Sequence, residues 1–243
     1  MTGLSPSHDP HTPHDTARER ALIKVQAASG ALFALFLGVH LVNQMVAVAG
    51  PGPYDALQGE LRRVYQTPVV EIVLVAAPLL VHVVVSVWRM LRRRRAGRPA
   101  IRTPRGRLQR YSAIVLLIFT FGHIFATRGA SLLYDVFPGF EGVAFTMVWF
   151  FSYFFPYYLI FSVAGLYHLL NGVALALPRL GLRGPRAARS GRMIAVTWLA
   201  GAVALALGLA GFAGAFHDVR QDAIDSPYAR LLEELGVAER PVR

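Results

Sequence analysis

The stretch AASGALFALFLGVHLVNQMVAV, residues 27–48, decides the architecture. It holds no Asp, Glu, Lys or Arg, and His40 is its one imidazole. A helix of this length rises about 33 Å, enough to cross the roughly 30 Å hydrocarbon core of a bilayer. Four further stretches have comparable length and apolarity: Pro68–Met90, Leu108–Thr127, Tyr153–Leu177 and Met193–Phe216. The fourth begins apolar as early as Val143, and its Phe, Trp and Tyr content marks that leading part as an interfacial entry. The expected fold is all-α, an integral membrane bundle of five transmembrane helices.

Composition agrees. Hydrophobic residues make up 54% of the 243 and charged residues 16%, against about 25% charged in soluble domains. Mean hydropathy is +0.44. The net charge of +11, from 25 Lys and Arg against 14 Asp and Glu, comes from Arg clustered between apolar runs. That pattern argues against a nucleic-acid partner, whose binding face would be basic along its length. The absence of cysteine excludes disulfides, thiolate zinc sites, iron–sulfur clusters and c-type haem attachment in this chain.

Arg18, Arg20 and Lys24 precede the first span, ten Arg from Arg89 to Arg110 join the second to the third, and five from Arg179 to Arg192 join the fourth to the fifth. The positive-inside rule then sets the N-terminus in the cytoplasm and the C-terminus outside. Residues 1–23, which include His8, His11 and His14, read as a disordered cytoplasmic arm. Residues 24–217 form the bundle. Residues 218–243 are an outer tail with a short helix opened by Ser226-Pro227, set at the interface or against a partner.

Ionisable side chains inside membrane helices are costly and mark function by default. His40, His82, His123 and His168 fall one in each of the first four spans. Helical rise puts His40 and His123 about 20 and 22 Å from the cytoplasmic end, and His82 and His168 about 12–14 Å. The four sort into an outer pair, His40 with His123, and an inner pair, His82 with His168. Two imidazoles at one level on facing helices are what bis-histidine ligation of a haem iron requires. Gly165, Asn171 and Gly172 lie near His168, Asn43 and Gln44 near His40, Ser86 near His82, and Thr120 and Thr127 near His123, each three or four residues away. These polar groups serve haem edges or ordinary interhelical hydrogen bonds. Gln26, Arg179 and Arg110 are placed for the propionates of an inner haem, Arg128 and Tyr134 for an outer one; interface anchoring is the other reading of the Arg residues.

The segments Gln26-Ala-Ala-Ser29-Gly30, Ala31-Leu-Phe-Ala-Leu-Phe-Leu-Gly-Val-His40 and Tyr167-His168-Leu-Leu-Asn171-Gly172, with His spacings of 42, 41 and 45, resemble the five-helix, di-haem cytochrome b anchor of the succinate dehydrogenase and fumarate reductase family. The likeness runs from about Lys24 to Phe216. The resemblance implies two b haems and menaquinone as the quinone substrate. It also implies a flavoprotein and an iron–sulfur subunit on the cytoplasmic face, and a place in the bacterial cytoplasmic membrane within the respiratory chain. No dicarboxylate active site is expected in this chain. Glu71, the one carboxylate inside a predicted span, is the candidate proton-exchanging group of the quinone site, or an interfacial Glu facing water. The Glu that some di-haem members carry just before the fourth ligand is replaced here by Gly165, Leu166 and Tyr167. Two alternatives remain: a transporter or proton-coupled channel with a His relay, and a haemless anchor of the same family.

Overall fold

The computed structural model describes residues 13–97, 103–183 and 190–239. All regular structure among them is helical: α1 (Pro13–Val46), α2 (Pro51–Tyr65), α3 (Pro68–Arg95), α4 (Pro104–Tyr134), α5 (Phe140–Arg179), α6 (Gly191–Phe212), α7 (Arg220–Asp225) and α8 (Pro227–Glu234). Among the described residues, α1, α3, α4, α5 and α6 are long and apolar enough to cross a membrane. Most run past the expected spans at their polar ends, where charged residues continue the helix beyond the hydrocarbon. The fifth is shorter than expected, stopping at Phe212 instead of Phe216, because Gly214 turns the chain with a φ of +83°.

The arm expected to be disordered through residue 23 is helical from Pro13. It is tied to α3, where the Arg89 guanidinium pairs with Glu19 at 2.8 Å and the Arg18 guanidinium lies 5.5 Å from the Trp88 ring centre. Residues 1–12, with His8 and His11, lie outside the described residues.

α1 occupies the centre, packed on α3, α5 and α6, and α5 in turn packs on α4 and α6. The α1–α6 contact is backbone to backbone. A Cβ at Gly208 would strike the Gln44 carbonyl oxygen, and one at Gly211 that of Ala47. Small residues allow such approach where dispersion, and not the hydrophobic effect, holds helices together. α5 breaks at Phe150, whose φ and ψ of −146° and 69° are not helical. Of the aromatic stretch read as an interfacial entry, Val143 to Trp149 packs in a core cluster with Tyr54, Phe140 and Phe212 at the end of the bundle, whereas Phe150, Phe151 and Tyr153 are exposed.

Two elements fill that end. The loop helix α2 opens at Gly50 (φ +97°) and Pro51, and seats Tyr54, 1% exposed, edge-on against Phe140 and Phe212. From the same helix the Asp55 carboxylate accepts the Phe140 N–H at 2.9 Å, capping α5 from 85 residues away. Burial pushes the Asp55 carboxyl above its ordinary value, and this hydrogen bond opposes the shift. The tail, expected at the interface or against a partner, packs on α5 of its own chain through α7 and α8. Ala223 and Ala229 are fully buried. The Ser226 hydroxyl caps α8 by accepting the Ala229 N–H at 3.1 Å, and the Tyr228 hydroxyl donates to the Ala126 carbonyl at 3.0 Å.

Candidate functional site

Each of the four helices α1, α3, α4 and α5 carries one histidine toward a neighbour. The His40 and His123 ring centres lie 6.0 Å apart, and those of His82 and His168 lie 6.2 Å apart. These are the two pairs that helical depth predicts.

The inner rings are held by polar partners. His82 Nδ1 lies 3.0 Å from the Gln26 carbonyl of α1. Because a carbonyl only accepts, Nδ1 carries the proton and Nε2 keeps its lone pair. The approach depends on Gly30, where a Cβ would sit 2.6 Å from His82 Nδ1 and 2.7 Å from Cε1. His168 Nδ1 lies 3.2 Å from the Ser112 hydroxyl and 3.1 Å from Gln109 Nε2, both on α4. The Ser112 proton goes to the Gln109 carbonyl at 3.1 Å and Gln109 Nε2 donates to the His168 carbonyl at 3.3 Å. The two neighbours pull Nδ1 opposite ways: the Ser112 oxygen, its proton on the Gln109 carbonyl, can accept from an Nδ1–H and so favours a bare Nε2, whereas the Gln109 amide nitrogen can only donate and favours a bare Nδ1.

The outer rings are placed by packing. His40 stacks on Phe36, with ring centres 5.6 Å apart and planes 17° from parallel, and His123 meets Phe161 edge-on at 5.3 Å. Near them Asn43, 3% exposed, keeps its Oδ1 without a hydrogen-bond partner among the described residues. Such an orphaned buried acceptor marks a place for a group the polypeptide does not supply.

A haem iron between two imidazoles sets the expected spacing. Two imidazoles that shared one iron, each nitrogen about 2 Å from it and each ring centre about 1.1 Å further, would hold their ring centres roughly 6.2 Å apart. Both pairs come within a few tenths of an ångström of that value, and each inner pair member has its second nitrogen engaged outside the pair, as metal-binding histidines do. The residues present fit the group.

The remaining predicted residues divide. The Gln26 side chain is already engaged: Nε2 donates to the Ser86 hydroxyl at 2.7 Å, and Oε1 accepts from Arg89. Arg179 is exposed and lines, with Ala17, Arg20, Ala21, Ile23 and Lys24, a cleft of about 550 Å³ at the end bearing the Arg-rich connections. Arg110 is half-buried on α4 beside Gln109. Thr127 donates to the His123 carbonyl at 2.7 Å.

Glu71 is neither free nor turned to water. Arg128 grips it bidentately, Nε to Oε1 at 2.5 Å and Nη2 to Oε2 at 2.6 Å, and its Nη1 donates to Ser131 at 2.6 Å. Both partners stand on wide helical turns, Glu71–Ala76 in α3 and Phe125–Gly129 in α4, a local geometry frequent at functional sites. Tyr65, at the end of α2, faces Arg62, Arg128 and Glu71. Burial pushes its hydroxyl above the ordinary value while the two guanidiniums pull it back. The Tyr65 ring meets Phe36 edge-on at 5.2 Å, and Phe36 meets His40, so the ion pair and the outer histidines share one aromatic wall.

Sequence reasoning missed Gln109, Ser112 and Tyr65. For the first two a signal existed, since Gln-x-x-Ser stands fourteen residues before His123 as it does before His40. Tyr65 had none, because α2 carries no long apolar run to place it.

Comparison with known proteins returned no matching family model, no matching curated protein and no matching solved structure.

Proposed function

We propose that the chain is the di-haem b-type cytochrome subunit of a succinate:quinone oxidoreductase in a bacterial cytoplasmic membrane, its N-terminus on the cytoplasmic side. The observation that carries this reading is the pair of imidazole spacings, 6.0 and 6.2 Å, built from four different membrane-spanning helices. His40 and His123 hold the outer haem and His82 and His168 the inner. When bound, bis-histidine b haem supplies one-electron transfer with no open coordination position.

The chain's own residues do the rest. The Gln26 carbonyl keeps His82 in the tautomer that leaves Nε2 bare, and the Ser112 oxygen offers His168 Nδ1 an acceptor that favours the same form. Phe36 and Phe161 fix the planes of the outer ones. The cleft formed by Arg20, Lys24 and Arg179 suits anionic propionates better than Gln26, whose side chain is engaged already. Arg110, beside Gln109, stays a candidate for the same role. Menaquinone meets the outer end beside Glu71, Arg128 and Tyr65, where the guanidinium holds the carboxylate in place through two hydrogen bonds. The basic connections offer the docking face for a flavoprotein and an iron–sulfur subunit.

Purifying the tagged chain from its native membrane with its associated subunits, and adding succinate, tests the proposal. Reduction of a b-type absorbance by succinate, to an extent approaching that by dithionite, is expected. Dithionite reduction with no response to succinate would separate the chain from succinate chemistry.

A further inference from the structure

Gln26-Ala-Ala-Ser29 precedes His40 by fourteen residues, and Gln109-Arg-Tyr-Ser112 precedes His123 by the same interval. The structure gives the two segments parallel tasks. Each lies on a helix that carries an outer histidine, and each backs the inner histidine of the helix packed beside it. Gln26 on α1 serves His82 of α3, and Gln109 with Ser112 on α4 serves His168 of α5. In both copies the serine hydroxyl turns back on its own helix: Ser112 donates to the Gln109 carbonyl at 3.1 Å, and Ser29 donates to the Val25 carbonyl at 2.8 Å with the Gln26 carbonyl at 3.3 Å. In both, the glutamine Oε1 is tied onward to an arginine. Gln26 accepts directly from Arg89. Gln109 accepts from Asn171 Nδ2 at 2.7 Å, and Asn171, fully buried, accepts from Arg105. The core is two similar halves, α1 with α3 and α4 with α5.

The halves differ in how the imidazole is met. His82 turns Nδ1 to a main-chain carbonyl, which no side-chain substitution removes. His168 reaches side chains instead, so its orientation and proton position depend on replaceable groups. Ser112 is 6% exposed, and with its proton given to the Gln109 carbonyl it has only lone pairs to offer Nδ1, whereas the Gln109 amide nitrogen has only N–H, so the balance of the two decides which ring nitrogen carries the proton. An Nδ1–H that donates makes the imidazole a stronger ligand at Nε2.

We propose that Gln109 and Ser112 are positioning residues for His168, the second copy of a device whose first copy serves His82. They set the ring's tautomer and its strength as a ligand. The inference rests on His82 and His168 being the axial ligands of the inner haem.

Potentiometric titration of the purified full-length chain, followed by absorbance, tests it on Ser112→Ala, Gln109→Leu and the conservative Ser112→Thr, with the inner haem assigned through His168→Ala. Loss of the acceptor weakens His168 as a donor to the oxidised iron. The inner midpoint of Ser112→Ala should therefore rise by about tenfold in the one-electron equilibrium, which is 59 mV. The outer midpoint should stay in place, and Ser112→Thr should return the inner one toward wild type. Gln109→Leu, which also cuts the link to Asn171, should move the inner midpoint or lower inner haem content alone. Inner and outer potentials that move together, an inner potential that does not move, or loss of both haems together would overturn the inference. A wild-type chain that holds no haem refutes the proposed function itself and takes this inference with it, an outcome visible before any variant is made.

Discussion

Replacing Gly30 by alanine probes the inner histidine pair from the opposite helix. The new Cβ would lie 2.6 Å from His82 Nδ1, whereas ordinary contact begins at 3.4 Å. The imidazole is rigid, so it must withdraw by about 0.8 Å, more than the roughly 0.5 Å that a preorganised site tolerates. Withdrawal stretches the 3.0 Å hydrogen bond from Nδ1 to the Gln26 carbonyl. Overpacking of this kind costs about 1–3 kcal/mol, which weakens the hold on the inner haem roughly five- to 150-fold. Gly38 is the control on the same helix, because the nearest atom to its Cβ is Leu169 Cδ2 at 3.9 Å. Haem content and the reduced-minus-oxidised spectrum of the purified variants provide the assay. Gly30→Ala should lose or shift the inner haem and spare the outer, and Gly38→Ala should keep both. Full inner haem content with an unchanged spectrum in Gly30→Ala would refute the reasoning.

The ion pair at the other end makes a second test. Glu71 and Arg128 side chains are each 24% exposed, between the surface and buried limits, so Arg128→Leu should cost about 2 kcal/mol, or roughly 4–8 °C in the melting temperature. Adding Glu71→Gln should recover part of that, and a double mutant no better than Arg128→Leu counts against the pairing. Gly208→Ala should force α6 off α1 and destabilise by about 1–3 kcal/mol in detergent melts; an unchanged melt would show that the helices can separate freely. Asp55 tests the cap on α5. Its folded-state pKa is raised, so its favourable contribution is present at low pH and lost as pH rises through that value. Asp55→Asn keeps an acceptor without the charge and should hold stability flatter between acid and neutral pH. Asp55→Ala should lose about 1 kcal/mol, and equal losses in both variants would contradict the capping role.

How much of this was legible in the sequence depended on whether the signal was periodic. Long apolar runs announce membrane-spanning helices because a helix satisfies its own backbone within one continuous segment in hydrocarbon, whereas barrel strands are short and alternate. The spacing of His40, His82, His123 and His168 sets their depth by helical rise alone, and the structure places them in the corresponding pairs. Depth says nothing of azimuth, so the Gly30 approach to His82 and the Ser112 contact with His168 became visible only with the helices packed. α2 was missed because its fifteen residues bury one face on the bundle end instead of crossing the membrane. Glu71 was read as a lone carboxylate because Arg128 stands 57 residues away, and only the meeting of α3 with α4 brings the two together. The Asp55 cap is hidden for the same reason, lying 85 residues from the N–H it accepts.

The central claim is that four histidines from four helices hold two haems. A pyridine haemochrome count on the purified wild-type chain, with the low-spin spectrum recorded on the same sample, tests it most directly. Two b haems per polypeptide, falling to one or fewer in His168→Ala, is the predicted result. A folded, cofactor-replete preparation with no haem, or a His168→Ala chain that still holds two, would contradict it.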